Sequence, residues 1–444
     1  MSRKNIKTKN ISISTNIPAP GTNKIIQRLQ KVESRSMQGQ LPIIWSKAKN
    51  FNIYDIAGNK FIDFTSTIFV ANIGHSNSRI KKYISRSLST NLIHSYAYIN
   101  KIRAEYLSKL IKFCGKGFEK AFLMSAGTEA TEAAFKLMRM YGQKKKKRRL
   151  GIICFEGNWH GRTMASQMMS GNDKQKEWIG YHDRDIHHIS FPYPWLIDKK
   201  NQEKFLENSL NKLKKKINLK RDVCGIMLET FQGWGALFYP KPYIKLLSKI
   251  CKKNDILICF DEMQAGFGRT GKNFGFQHYD IIPDLVCCGK GMGGGVALSG
   301  VIGKKKIMDL PEVGNMSSTN SANPIACNAG LAVIEEIEKK KLTENARIKG
   351  ELLHKNLLKI SHTYPDLINV YGKGLIAALV FNSKHKNINR KLKKLVELCI
   401  NDGLLLVYTG RESVKIGPPL TITKDAINEG TEIIKKNINI LFKK

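Results

Sequence analysis

No part of the chain holds the run of about 18 apolar residues that a membrane-crossing helix needs. Residues 1–14, MSRKNIKTKNISIS, are basic but carry no apolar core of the kind a secretory signal requires. These absences predict a soluble, cytoplasmic protein with no membrane partner. Cysteine pairs spaced C-x-x-C are also missing, although the chain has nine cysteines. Cys154, Cys224, Cys259 and Cys287 lie inside apolar runs, where a small hydrophobic side chain serves. That pattern fits a reducing compartment and predicts no metal site. Acidic residues are scarce, 36 Asp and Glu against 74 Lys and Arg, giving a formal charge of +38. Such an excess raises the question of a polyanionic partner. The lysines are spread through most surface segments among abundant Ile and Asn, a pattern that A/T-rich coding also produces. Only residues 144–149 (KKKKRR) form a dense cluster. No recognised nucleic-acid module or aromatic–basic stripe accompanies the charge, so nucleic acid is not expected as the primary partner. A non-catalytic polyanion-binding protein is the alternative from outside the enzymes.

What is present is ample apolar material. With 444 residues and 42% hydrophobic content, the chain buries a large core and exceeds the size of one ordinary domain. Between about residues 120 and 300, short apolar runs alternate with amphipathic stretches, the pattern of a mostly parallel sheet covered by helices. Strands are expected at 120–124 (KAFLM), 150–155 (LGIICF), 225–228 (GIML), 256–260 (ILICF) and 285–288 (LVCC). Residues 52–64 read as a hairpin outside that sheet. Helical patterns at 331–340 and 342–360 precede a strand-like run at 375–381. The fold class is therefore α/β, with a large domain at 71–330 and a smaller α+β domain from both chain ends, 1–70 and 331–444.

Ligands gather beyond the carboxyl ends of strands in such sheets, which directs attention to three segments. Asp261 closes the apolar run ILICFD and precedes the turn-rich AGFGRTG; a buried anion there needs a cationic partner. Taken alone, it equally fits a strand-end Asp capping a loop. Lys290 follows LVCC and precedes GMGGG, where glycines permit close backbone approach and an apolar setting can lower a lysine's pKa. Alone, it reads as a surface turn. Ser125 to Glu129 (SAGTE) opens a helix whose free N–H groups, with the Thr128 hydroxyl, suit a phosphate. An ordinary helix cap has the same look.

In conjunction these segments resemble the class-III aminotransferases, over about residues 40–430. SAGTEATEAAFKLMR is similar to their phosphate-loop helix, GNWHGRT to their ring-stacking segment and ETFQGWGA to their acidic switch segment. FDEMQAGFGRTGK followed by PDLVCCGKGMGGG resembles the signature that holds the pyridinium aspartate and the Schiff-base lysine. STNSANPIAC resembles the segment that supplies a phosphate contact from a second subunit. The resemblance implies the fold of the type I pyridoxal-phosphate enzymes, pyridoxal 5'-phosphate as cofactor, and a homodimer with a shared active site. It implies Lys290 as the internal aldimine lysine, Asp261 at the pyridinium nitrogen and Gln264 at the ring phenol oxygen. Trp159 would stack on the ring, and Ala126, Gly127 and Thr128 would bind phosphate, with Thr319 reaching in from the partner subunit.

The implied activity is a ping-pong transfer of an amino group from an amine or amino acid to a keto acid or aldehyde. Arg162 matches an arginine that binds substrate carboxylate in several relatives, and equally fits a structural ion pair. Relatives also pair the acid at Glu229 with an arginine near the C-terminus. Here SVKIGPPL puts Lys415 at that place, and Tyr371 stands where another arginine is frequent. A lysine lacks the bidentate fork, so glutamate recognition of the usual kind is not expected, unless Arg411 or Arg35 substitutes. An ω-amine donor or amino-sugar-like partner is expected instead, with 2-oxoglutarate open as acceptor. An aminomutase of the glutamate-1-semialdehyde type, a racemase or a decarboxylase would use the same lysine and aspartate.

Overall fold

The computed structural model describes residues 5–197 and 200–442. Backbone proximity divides the chain into two units, one of residues 78–344 and one of residues 1–77 with 345–444. The larger unit continues past the boundary expected at 330. Its helix Pro324–Lys339 lies against the helices Ser78–Ser89 and Lys101–Cys114 of the same unit, so the chain leaves only after that helix is complete.

The larger unit is built on seven strands: β1 (Lys120–Met124), β2 (Gly151–Phe155), β3 (Ile186–Ile189), β4 (Val223–Glu229), β5 (Leu257–Asp261), β6 (Leu285–Cys288) and β7 (Ser299–Gly303). Their order across the sheet is β1-β7-β6-β5-β4-β2-β3. Only β7 runs antiparallel to its neighbours. Every residue of β2, β4, β5, β6 and β7 is buried, which is why these segments read as apolar runs without alternation. Helix α1 (Gly127–Lys144) lies on the sheet with Ala130, Ala133, Ala134, Leu137 and Met138 fully or almost fully buried. Small residues allow that approach. A side chain at Gly142 would put its first carbon 2.7 Å from Cys224 Cβ.

In the smaller unit, the hairpin strands Asn52–Asp55 and Lys60–Asp63 pair antiparallel within a sheet separate from the large one. A second sheet holds Ile368–Lys373, Ile376–Phe381, Val407–Tyr408 and Ser413–Ile416. All nine cysteines are buried and free. Among the described residues no cluster could hold a metal ion, and no helix is long and apolar enough to cross a membrane.

Candidate active site

The parallel strands β4 and β5 end together, with Glu229 and Asp261 in register at their carboxyl ends. Asp261 is also in register with Cys287 of β6, three residues before Lys290. Sheet pairing thus brings one end of each of these strands to a common edge.

Asp261 is 5% exposed. Its Oδ1 accepts the Met263 N–H at 3.0 Å and its Oδ2 meets Nδ1 of buried His160 at 2.9 Å. A proton on Nδ1 makes this contact a hydrogen bond donated by His160 to Asp261. His160 Nε2 is buried and has no hydrogen-bond partner among the described residues. Sequence reasoning passed over His160, although it stands inside GNWHGRT beside Trp159.

Lys290 is partly buried and has φ +45°, the left-handed region that β-carbon-bearing residues avoid. Burial lowers its pKa, while the negative charges of Asp261 and Glu229 act in the opposite sense. The amine is therefore close enough to both carboxylates to feel them, and more of it is neutral than in an exposed lysine.

Glycines let the loops meet. The backbones of Gly289 and Gly127 approach closely, and Met263 stands against both: a first side-chain carbon at Gly289 would lie 2.6 Å from its sulfur, and one at Gly127 2.9 Å. The lysine segment, the start of α1 and the segment after Asp261 are thus packed into one place. At the start of α1, the Glu129 carboxylate accepts the N–H groups of Ser125 and Ala126 at 2.9 and 2.7 Å. Gly127 and Thr128 open the first turn, where a helix leaves its leading N–H groups without an intrahelical acceptor, and the Glu129 N–H after them donates to the Ala126 carbonyl at 3.1 Å. The Thr128 hydroxyl meets that of Thr163 at 2.6 Å.

Glu229 is 4% exposed and accepts the N–H groups of Trp159 at 3.3 Å and Gly233 at 3.1 Å. Gly233 in turn lies against Gln264 and Glu229, with no room for a side chain. This ties the segments of Trp159, Glu229 and Gln264 together. Arg162 is exposed and places its guanidinium 4.6 Å from the Trp159 ring centre, a cation–π contact.

Thr319 is not part of this gathering: it is exposed, and its carbonyl meets His94 Nε2 at 2.9 Å. Lys415 and Tyr371 belong to the smaller unit. Lys415 is 6% exposed, with its ammonium 4.5 Å from the Phe69 ring centre. Both residues pair in register with Ala378, one from each side, so they share one face with only that small side chain between them. Arg411 is paired with the adjacent Glu412 through two contacts, at 2.8 and 3.2 Å, and Arg35 is exposed.

A lysine of lowered pKa within reach of the charges of two buried carboxylates, a helix start with free amides and an indole nearby suit a reactive carbonyl compound that carries an anionic group. Comparison with known proteins agrees. The family model described as aminotransferase class-III matches residues 34–438. The mitochondrial acetylornithine aminotransferase of Candida glabrata is 34% identical over 412 residues, 90% of this chain and 91% of that protein. The acetylornithine aminotransferase of Clostridium acetobutylicum is 31% identical over 407 residues, 90% and 97% of the two chains. Among solved structures, the acetylornithine aminotransferase of Elizabethkingia anophelis is 26% identical with a TM-score of 0.78, covering 94% of this chain and 98% of its own. A Bacillus anthracis aminotransferase, at 24% identity and a TM-score of 0.86 with 94% and 98% coverage, shares the fold. The chain belongs to the class-III aminotransferases, enzymes that use pyridoxal phosphate to move an amino group.

Proposed function

We propose that the donor is an ω-amino acid whose α-nitrogen is acylated, acetylornithine being the example in its relatives' names, and that the acceptor is a keto acid or aldehyde. The observation that carries the site is the packing of the Lys290, Gly127 and Asp261 segments around Met263. The residues present fit the cofactor. Lys290 offers an amine with lowered pKa to an aldehyde, and Asp261 is a buried carboxylate suited to a protonated ring nitrogen. Gly127 and Thr128 would hold the phosphate at the start of α1, beside Ala126, whose own N–H is given to Glu129; Trp159 would cover the ring and Gln264 would meet the ring hydroxyl oxygen. When bound, pyridoxal phosphate supplies the electron sink that stabilises negative charge at the amine-bearing carbon.

His160 holds Asp261 in place through Nδ1. With a donor bound, the Lys290 amine would carry the proton between the amine-bearing carbon and the cofactor. Its lowered pKa suits both tasks. Arg162 and Lys415 would receive substrate carboxylates; Lys415 acts as a point charge, and Tyr371 on the same face adds a hydroxyl. Glu229, engaged by two backbone N–H groups, would set the border of the substrate space.

A homodimer completes the site in this reading, with Thr319 of the partner subunit at the phosphate. Support comes from an exposed apolar segment in which Ile99 is 95% and Tyr98 78% exposed, with Ile93 also exposed. That segment carries His94, which holds the Thr319 carbonyl. Nine free, buried cysteines support a reducing compartment such as the cytoplasm.

The test is the visible absorbance of the purified protein. Acetylornithine should bleach the cofactor band and 2-oxoglutarate restore it, and Lys290→Ala should do neither. If glutamate and alanine proved the only competent donors, the acylated ω-amine reading would fall. Turnover without any second substrate would identify a mutase instead.

A further inference from the structure

The basic cluster at residues 144–149 takes no part in the site described above. It lies at the opposite edge of the large sheet, where β2 begins at Gly151, β4 at Val223 and β5 at Leu257. At about 3.3 Å per residue, β4 alone puts roughly 20 Å between that edge and Glu229. Two adjoining surface clefts open there, of about 580 and 410 Å³. Arg148, Lys214, Lys215, Lys216 and Lys253 line the first. Lys145, Lys146, Lys147, Lys220 and Arg221 line the second, where Asp255 is the one carboxylate.

Sequence-distant segments are held together to make this surface. The Lys147 ammonium donates to the carbonyl of Lys220 at 2.9 Å and to that of Asn254 at 3.0 Å, joining residues that line different clefts. Arg148 grips buried Asp222 with two contacts, at 2.6 and 2.7 Å, and its N–H donates to the Arg221 carbonyl at 2.8 Å. Lys214, Lys215, Lys216 and Lys253 are exposed, and among the described residues none of them pairs with a carboxylate, while in the second cleft Lys145 pairs with Asp255 at 3.4 Å. In the second cleft burial holds Lys147 below the ordinary lysine pKa, Asp255 opposes that shift, and Lys145 and Lys220 add to it by less.

We infer that these two clefts form a docking trough for the phosphate backbone of a nucleic-acid strand, independent of the catalytic site and without base preference. Strand phosphates recur at a spacing that can serve several lysines in turn, and counterion release supplies the affinity. No aromatic side chain lines either cleft, so there is no stacking platform to read bases. A membrane surface fits less well, because the lining offers no exposed apolar residue to enter a bilayer.

Fluorescence anisotropy of the full-length, cofactor-loaded protein with a labelled single-stranded oligonucleotide of mixed sequence tests this, at 50 and 200 mM salt. For about five phosphates neutralised, affinity should fall on the order of 100-fold between those salt concentrations. The variant carrying Lys146→Gln, Lys215→Gln, Lys216→Gln and Lys253→Gln should bind at least about tenfold more weakly and show a shallower salt slope. A control with the same change of formal charge, Lys355→Gln, Lys359→Gln, Lys384→Gln and Lys386→Gln, should bind like the parent. Transaminase turnover of both variants should match the parent, which also establishes that they fold. Equal weakening in both variants means diffuse charge only and overturns the trough. No binding by the parent, or binding to anionic phospholipid vesicles that the cleft variant alone loses while oligonucleotide binding is unchanged, overturns it as well.

Discussion

Glu262, next to Asp261, gives a prediction whose size follows from its surroundings. It is 1% exposed, and its carboxylate accepts the N–H groups of Gly275 and Phe276, each at 2.7 Å, as well as the Thr230 hydroxyl. Burial pushes its pKa from the ordinary 4.5 up to about 7, against the opposing pull of those three donors. The folded state therefore binds this proton more tightly than the unfolded state. The stabilisation is fully present below the ordinary value and is lost as pH rises through the folded one. With those two values, linkage gives a loss of about 2.5 kcal/mol between pH 5 and pH 8. Glu262→Gln cannot titrate, so its cost is the same at both pH values. The stability gap between wild type and variant, read from urea unfolding by intrinsic fluorescence, should change by about 2.5 kcal/mol between them, wild type losing ground as pH rises. A gap that stays constant would mean that Glu262 does not change charge over this range. The three donors would then outweigh burial.

Lys415→Ala should raise KM for a donor bearing a carboxylate by roughly 10- to 100-fold, as expected for losing a charge-assisted hydrogen bond of about 1.5–3 kcal/mol, and leave kcat within a few-fold. An amine donor with no carboxylate should be unaffected; equal losses for both donors would assign Lys415 a packing role over Phe69. Ile93→Asp combined with Ile99→Asp should shift the protein from dimer to monomer in sedimentation, because both side chains are exposed in the single chain and cost its fold little. An unchanged mass would remove this segment from the subunit contact.

The parts of the fold that sequence reading captured are those whose cause is local. Each of β2, β4, β5 and β6 is buried on both faces and announces itself as an apolar run, and Asp261 and Lys290 stand out because polar residues follow such runs directly. The edge strand β3, with the sequence IHHI and only Ile189 fully buried, has no such signature. Its His188 is buried enough for its pKa to fall to about 4, but nothing in the local sequence says that this polar pair belongs in a sheet. β7 was equally silent, since Ser299–Gly303 is five residues long with glycine at two of them. Within the site, His160 was missed for a different reason. Its partner Asp261 lies 101 residues away, and the two meet only because β2 and β5 both flank β4. The face shared by Tyr371 and Lys415 has the same origin. A slip of one residue in either pairing with Ile376–Phe381 would turn one of them to the other side, and neither side chain sets that register. The residues proposed for the chemistry are therefore readable at strand ends, whereas those proposed to position it or to meet the substrate are set by strand register, which is fixed by burial of other residues along the same strands.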